Sequence, residues 1–213
     1  MALFTENLTL SSPSTFLLSG CTGSGKTFFI MKMIANSSQM FEHSPEKIYY
    51  FYSIWQPIFD RFHTENKVTF ISGLPNEEKI KEIANEKHNL IIIDDMQINA
   101  LNDSFISNLF SRESHHRNLT IFLLLQNLFH QGKYGRDISL NTHHLILFRN
   151  LRDINQIKYL SRQIGLWKKL EYAYKDVLNI PYNYLLIDLS PKSNPNIMLR
   201  SNIFPGENAI ICK

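Results

Sequence analysis

Only two cysteines, Cys21 and Cys212, occur in the 213 residues. That is too few for a disulfide framework or a cysteine-built zinc site. No apolar run approaches the ~18 residues a membrane-crossing helix needs, and the opening Met1-Ala2-Leu3-Phe4-Thr5-Glu6 lacks both a basic segment and a long apolar core. A soluble, intracellular protein with no membrane partner is expected. Repeats, low-complexity tracts and composition shifts are lacking as well. The chain therefore reads as one domain over 1–213, long enough to bury a sizeable core. Neither sign of charge dominates: 22 Lys and Arg against 19 Asp and Glu leave a net charge of +3, with 19% charged and 44% hydrophobic residues. Such mild basicity permits a nucleic-acid partner without demanding one.

What is present is an alternation of short apolar strands with helical stretches, the pattern of a mostly parallel α/β sheet covered on both faces. Strands are expected over 15–19, 47–52, 68–71, 89–94, 119–125, 143–148 and 183–188, with a last one at 197–203. Helices are expected over 26–37, 76–87, 103–113 and 152–164. The run Pro75-Asn76-Glu77-Glu78 has the acidic first turn of a helix start.

The sharpest signal is Gly20-Cys21-Thr22-Gly23-Ser24-Gly25-Lys26-Thr27, which fits G-x-x-x-x-G-K-[ST] where the apolar stretch 15–18 ends. Triphosphate oxygens need several backbone N–H groups converging on one point, and glycine lets the main chain curl that closely. The following helix adds its N-terminal dipole. Residues 20–28, ending at Phe28, are thus the candidate ATP contacts. Lys26 would reach the β- and γ-phosphates, and the Thr27 hydroxyl would hold Mg²⁺.

A second motif, Leu90-Ile91-Ile92-Ile93-Asp94-Asp95, ends a buried strand in two carboxylates, where ligands bind in doubly wound sheets. Asp94 would bind Mg²⁺ and Asp95 would orient or deprotonate the attacking water. A third strand, 120–125, delivers Gln126, whose amide can bridge the γ-phosphate and that water. Before it lies Arg112-Glu113-Ser114-His115-His116-Arg117-Asn118. Arg117 is the first choice for an arginine finger reaching a neighbouring subunit's nucleotide, with Arg149 and Arg152 next. The two histidines resemble a metal site, but adjacent residues cannot face one metal from a strand, and no suitably spaced partner exists.

Taken together, the loop, the Asp-Asp pair, the His-Arg-Asn segment and Gln126 resemble the FtsK/HerA superfamily. More narrowly, residues 126–141, Gln-Asn-Leu-Phe-His-Gln-Gly-Lys-Tyr-Gly-Arg-Asp-Ile-Ser-Leu-Asn, and 147–153, Leu-Phe-Arg-Asn-Leu-Arg-Asp, are similar to the genome-packaging ATPases of Maverick/Polinton elements, adintoviruses and virophages, smaller relatives of the poxvirus packaging ATPase. The resemblance spans roughly 14–165. Asp95 stands where many superfamily members carry Glu, and Leu151 where relatives often have Pro. The resemblance implies a RecA-like or FtsK/HerA-like P-loop fold and a homo-oligomeric ring of five or six subunits. It also implies ATP-driven pumping of double-stranded DNA into a capsid through a capsid or portal partner, in host cytoplasm or nucleus or with the virion. Lys133, Arg136, Arg149, Arg152, Lys158, Arg162, Lys168 and Lys169 form a basic cluster able to neutralise phosphates without reading sequence. Alternatively they are the solvated face of a helix whose apolar side is Ile154, Ile157, Leu160 and Ile164. A small-molecule kinase and a slowly hydrolysing assembly protein are the rival functions.

Overall fold

Among the described residues, apolar runs of Leu, Ile and aromatic side chains separated by polar turns build ten strands into one sheet. The computed structural model describes residues 2–4, 9–65, 68–84, 87–129, 131–151 and 154–212. The strands are β1 (Ala2–Phe4), β2 (Thr15–Ser19), β3 (Lys47–Tyr52), β4 (Val68–Ser72), β5 (Asn89–Asp94), β6 (Leu119–Leu125), β7 (His144–Phe148), β8 (Tyr184–Asp188), β9 (Leu199–Ser201) and β10 (Ala209–Ile211). Their order is β1-β10-β9-β8-β7-β2-β6-β5-β3-β4. From β4 to β7 all pairs are parallel, and from β7 to β1 all are antiparallel.

The helices are α1 (Lys26–Ala35), α2 (Ser37–Met40), α3 (Ile58–Glu65), α4 (Glu77–Ile83), α5 (Gln97–Asn102), α6 (Ser104–Asn108), α7 (Ser114–His116), α8 (Gly135–Leu140), α9 (Asn155–Gln163) and α10 (Trp167–Val177). Residues Leu109–Glu113, between α6 and α7, form a π-helical turn. Alternating strand residues feed two cores. On one face Leu17, Ile91, Ile93, Ile121 and Leu123 meet Ile106 from α6, Ile138 from α8, Leu160 from α9 and Leu170 from α10. On the other Phe16, Leu18, Leu90, Ile92 and Phe122 meet Phe29, Ile30 and Met33 from α1. Each such burial contributes about 1.5–3 kcal/mol.

The parallel half follows the expected strands closely, and the departures have local causes. β8 is antiparallel because two helices, α9 and α10, intervene and return the chain to the edge it left, with Phe148 facing Tyr184. The helix expected over 76–87 stops at Ile83: Ala84 turns extended and the Ile83 carbonyl accepts from Asn89 Nδ2 at 3.1 Å. The helix expected over 103–113 instead continues through the π turn to His116, starting at an Asp103 cap whose Oδ1 accepts from Phe105 N at 2.7 Å. The expected 152–164 helix is seen from Asn155, its first two residues lying outside the described ones. Ile154, assigned to its apolar side, is 48% exposed. The helix expected over 26–37 ends at Ala35, and α2, α3, α5, α8, α10, β1 and β10 are unanticipated.

Candidate active site

Register aligns the functional strand ends. Ser19 of β2 lies beside Leu125 of β6, and Ile93 of β5 beside Leu123, so the loop after β2, the Asp94-Asp95 pair and Gln126 emerge along one edge. Between β2 and α1 the chain makes the tight loop that the glycine spacing predicts. Gly23 and Gly25 have φ of 77° and 106°, conformations that cost side-chain-bearing residues dearly. Gly20 is needed for closeness: a Cβ there would stand 2.6 Å from both Phe148 Cβ and Ser24 Oγ. Gly25 then caps α1, whose first turn opens with Phe29 N donating to Gly25 O at 2.9 Å.

Lys26 folds over the loop, donating to Gly20 O at 2.5 Å and Cys21 O at 3.1 Å. Burial pulls its pKa below the ordinary lysine value, against the pull of Asp94, Cys21 and Asp95. Asp94 is buried, and its Oδ2 accepts from the Tyr50 hydroxyl at 2.5 Å. Burial raises its pKa, opposed by that hydrogen bond. Asp95 is exposed, with the left-handed φ of 57° that turns its side chain out of the strand. Its Oδ1 lies 3.4 Å from Gln126 Nε2.

Lys26, Thr27, Asp94, Asp95 and Gln126 line one cleft of about 380 Å³, together with Thr22, Gly23, Gly25, Phe28, Gln56 and Gln97. Gln97 was not foreseen. Its Oε1 accepts from Gln126 N at 2.5 Å and Asn127 N at 3.2 Å, tying the β6 loop to the β5 turn. Asn127 Oδ1 in turn accepts from Gln156 Nε2 of α9 at 2.5 Å. A second cleft of about 850 Å³ adjoins the loop, lined by Cys21, Ser24, Asn127, Arg149, Asn150 and Tyr182 among others. Of the expected contacts, only Gly20 lies beneath the loop, away from both openings. The hydroxyl of Thr27 and the carboxylate of Asp94 are hard oxygen donors in one cleft with a cationic amine, a set that suits Mg²⁺ carried by a polyphosphate.

Arg117 stands elsewhere. It precedes β6, so seven strand residues, roughly 20 Å, separate it from Gln126 at the cleft end. Within the chain it pairs with Glu113 one helical turn earlier. Arg149 is exposed at the second cleft, and Arg152 lies outside the described residues. His115 packs edge-on to His143 at 5.1 Å. Among the described residues no group of three His, Cys, Asp or Glu could hold a metal ion. Lys133, Arg136, Lys158, Arg162 and Lys168 are exposed on or beside α8, α9 and α10, which all cover the same sheet face. No helix among the described residues is long and apolar enough to cross a membrane.

Known structures share this architecture. The DNA-packaging ATPase B204 of Sulfolobus Turreted Icosahedral Virus matches with TM-score 0.55 and 14% identity over 83% of this chain and 92% of that one. The genome packaging NTPase B204 of Sulfolobus turreted icosahedral virus 2, in complex with ATP-gammaS, matches with TM-score 0.51 and 15% identity over 83% and 92%. The KaiC-like protein PH0186 of Pyrococcus horikoshii OT3 matches with TM-score 0.51 and 14% identity over 94% and 89%. At such identities the likeness is one of fold. No curated protein matches the chain in sequence. The profile of the Poxvirus A32 protein family matches residues 1–173, from β1 through the first part of α10 and across the cleft-lining ends of β2, β5 and β6. A P-loop NTPase by fold and by its converging motifs, the chain belongs to the poxvirus A32 protein family.

Proposed function

We propose that this chain is the ATPase subunit of a genome-packaging motor, hydrolysing ATP to drive double-stranded DNA into a capsid inside the infected cell. The observation that carries the reading is the convergence of Lys26, Thr27, Asp94, Asp95 and Gln126 on one cleft at the strand ends. The backbone N–H groups of the glycine loop and the N-terminus of α1 would hold the phosphates. Lys26 would leave the loop carbonyls for the β- and γ-phosphate oxygens, a charge-assisted exchange. Thr27 and Asp94 would hold Mg²⁺, which when bound neutralises charge developing on the phosphates. Asp95, steadied by the Gln126 amide, would accept a proton from water as its oxygen bonds to the terminal phosphorus. The bond from that phosphorus to the bridging oxygen breaks, giving ADP and phosphate.

The exposed cations of α8, α9 and α10 on one sheet face support a DNA-contacting surface, with Lys133, Arg136, Lys158, Arg162 and Lys168 meeting phosphates irrespective of sequence. Within a homo-oligomeric ring, Arg117 of a neighbouring subunit is proposed as the finger, with Arg149 as the alternative from the subunit's own second cleft. A capsid or portal protein would anchor the ring. The test is phosphate release with and without double-stranded DNA, in the absence of any acceptor. Stimulation by DNA supports the motor. An unstimulated slow rate favours an assembly protein, and turnover only with a small-molecule acceptor favours a kinase. Mixing Arg117→Ala with Lys26→Ala subunits at ring-forming concentrations should restore part of the activity, because an intact site on the first can receive an intact arginine from the second. Arg117→Ala turnover near that of the parent protein would refute this finger and move the role to Arg149 or Arg152.

A further inference from the structure

Tyr50 sits in the middle of β3, fully buried, where packing alone would be served by phenylalanine; its neighbour Phe51 and the nearby Phe59 and Phe70 do that work. Its hydroxyl instead donates to Asp94 Oδ2 at 2.5 Å. The register explains the reach. Tyr52 lies beside Asp94 and Tyr50 beside Ile92, so the Tyr50 ring, on the same sheet face as Leu90 and Ile92, runs along the neighbouring strand toward the carboxylate. That face is the one α1 covers, the side from which Lys26 and Thr27 line the cleft. The ring itself cannot drift. Phe59 and Phe70 hold it with centroids 4.9 and 5.3 Å away.

A carboxylate that must meet a small, octahedral cation gains from having its plane fixed before the ion arrives. From these contacts we infer that Tyr50 is a positioning residue for the Mg²⁺–nucleotide complex: it occupies one lone pair of Asp94 Oδ2 and fixes the carboxylate plane toward the Lys26–Thr27 side. This rests on the proposal that Asp94 holds Mg²⁺. Groups that orient a metal-binding carboxylate from behind commonly change metal affinity 10–100-fold when removed.

Two measurements on the 213-residue chain test it: binding of a fluorescent, non-hydrolysable ATP analogue as free Mg²⁺ is titrated, and the same titration read by turnover. Tyr50→Phe should raise the half-saturating Mg²⁺ concentration about 10-fold or more, while analogue binding in excess chelator stays unchanged and turnover recovers at high Mg²⁺. In an Asp94→Asn background the same substitution should shift the midpoint less than about 2-fold, since the hydroxyl acts through the carboxylate. An unchanged midpoint in Tyr50→Phe would reduce the residue to packing and overturn the inference. So would loss of a cooperative melt in Tyr50→Phe while Asp94→Asn melts normally. If the parent protein binds the analogue independently of Mg²⁺, the metal role of Asp94 fails instead, a result distinct from either.

Discussion

Replacing Gly20 by alanine separates close approach from backbone conformation in the phosphate loop. The new Cβ would stand 2.6 Å from Phe148 Cβ, and ordinary contact begins near 3.4 Å, so loop and strand must part by most of an ångström. Phe148 cannot yield easily, being buried in β7 with its ring edge-on to Phe29 at 5.8 Å. Overpacking of this kind costs about 1–3 kcal/mol, and misplacing reacting groups by ~1 Å can cost ~100-fold in rate. Gly23→Ala is the control. Its Cβ would meet nothing within 4 Å, but its φ of 77° makes an alanine there strained by about 1 kcal/mol. Thermal melts and steady-state ATPase on both variants should therefore show the larger drop in kcat/KM, by ~100-fold, in Gly20→Ala. Turnover within about 3-fold of the parent in Gly20→Ala would refute the close-packed loop.

Further outcomes can be stated. Asp95→Asn should keep nucleotide binding and lose turnover by ~100-fold or more, as for a water-activating group; equal loss of both would move Asp95 into the metal set. Cys21 is exposed in the loop, so a maleimide should block hydrolysis and bound ATP should protect, measured by labelling rate; unprotected labelling would count against the loop's contact with phosphate. Stability should fall with acid through His144. Both oxygens of Asp188 are engaged, Oδ1 by Ser190 and Oδ2 by Arg200, so the His144 Nδ1 atom, 3.5 Å from Asp188 Oδ1, makes no hydrogen bond to it. Burial, with Arg200 and His143 opposing Asp188, holds its pKa down at about 4 from the ordinary 6.5. The unfolded chain therefore binds the proton first: stability is full above about pH 6.5 and declines as pH falls toward 4. Urea melts between those limits should show His144→Gln with a flatter slope, and equal slopes would remove His144 from the account.

The parallel half of the sheet was legible because its strands are unbroken apolar runs ending in chemistry-bearing residues, as in Leu90 to Asp95. The antiparallel half was not, since a strand's direction depends on what joins it to its neighbour rather than on its own residues. α10 could have been read: Leu170, Ala173, Tyr174 and Val177 are the buried stripe of a helix at the usual spacing. In the cleft, the loop, Asp94, Asp95 and Gln126 were expected together and lie together. Gln97 and Tyr50 escaped notice because their roles arise between strands, through a loop amide and a register offset that one-dimensional spacing does not encode. The place of Arg117 was legible: it precedes β6, so it lies at the strand end away from the cleft of its own chain.

The loop after β6 is clasped from two sides, by Gln97 through the amides of Gln126 and Asn127 and by Gln156 through the Asn127 side chain. Those bonds link the strand-end loop to α9 across the edge of the sheet. If Gln126 shifts as the terminal phosphate leaves, the loop must either break a bond or carry α9 with it. α9 bears Lys158 and Arg162, so a displacement of a few tenths of an ångström at the phosphate would be felt as a tug on the helix farthest along that linkage.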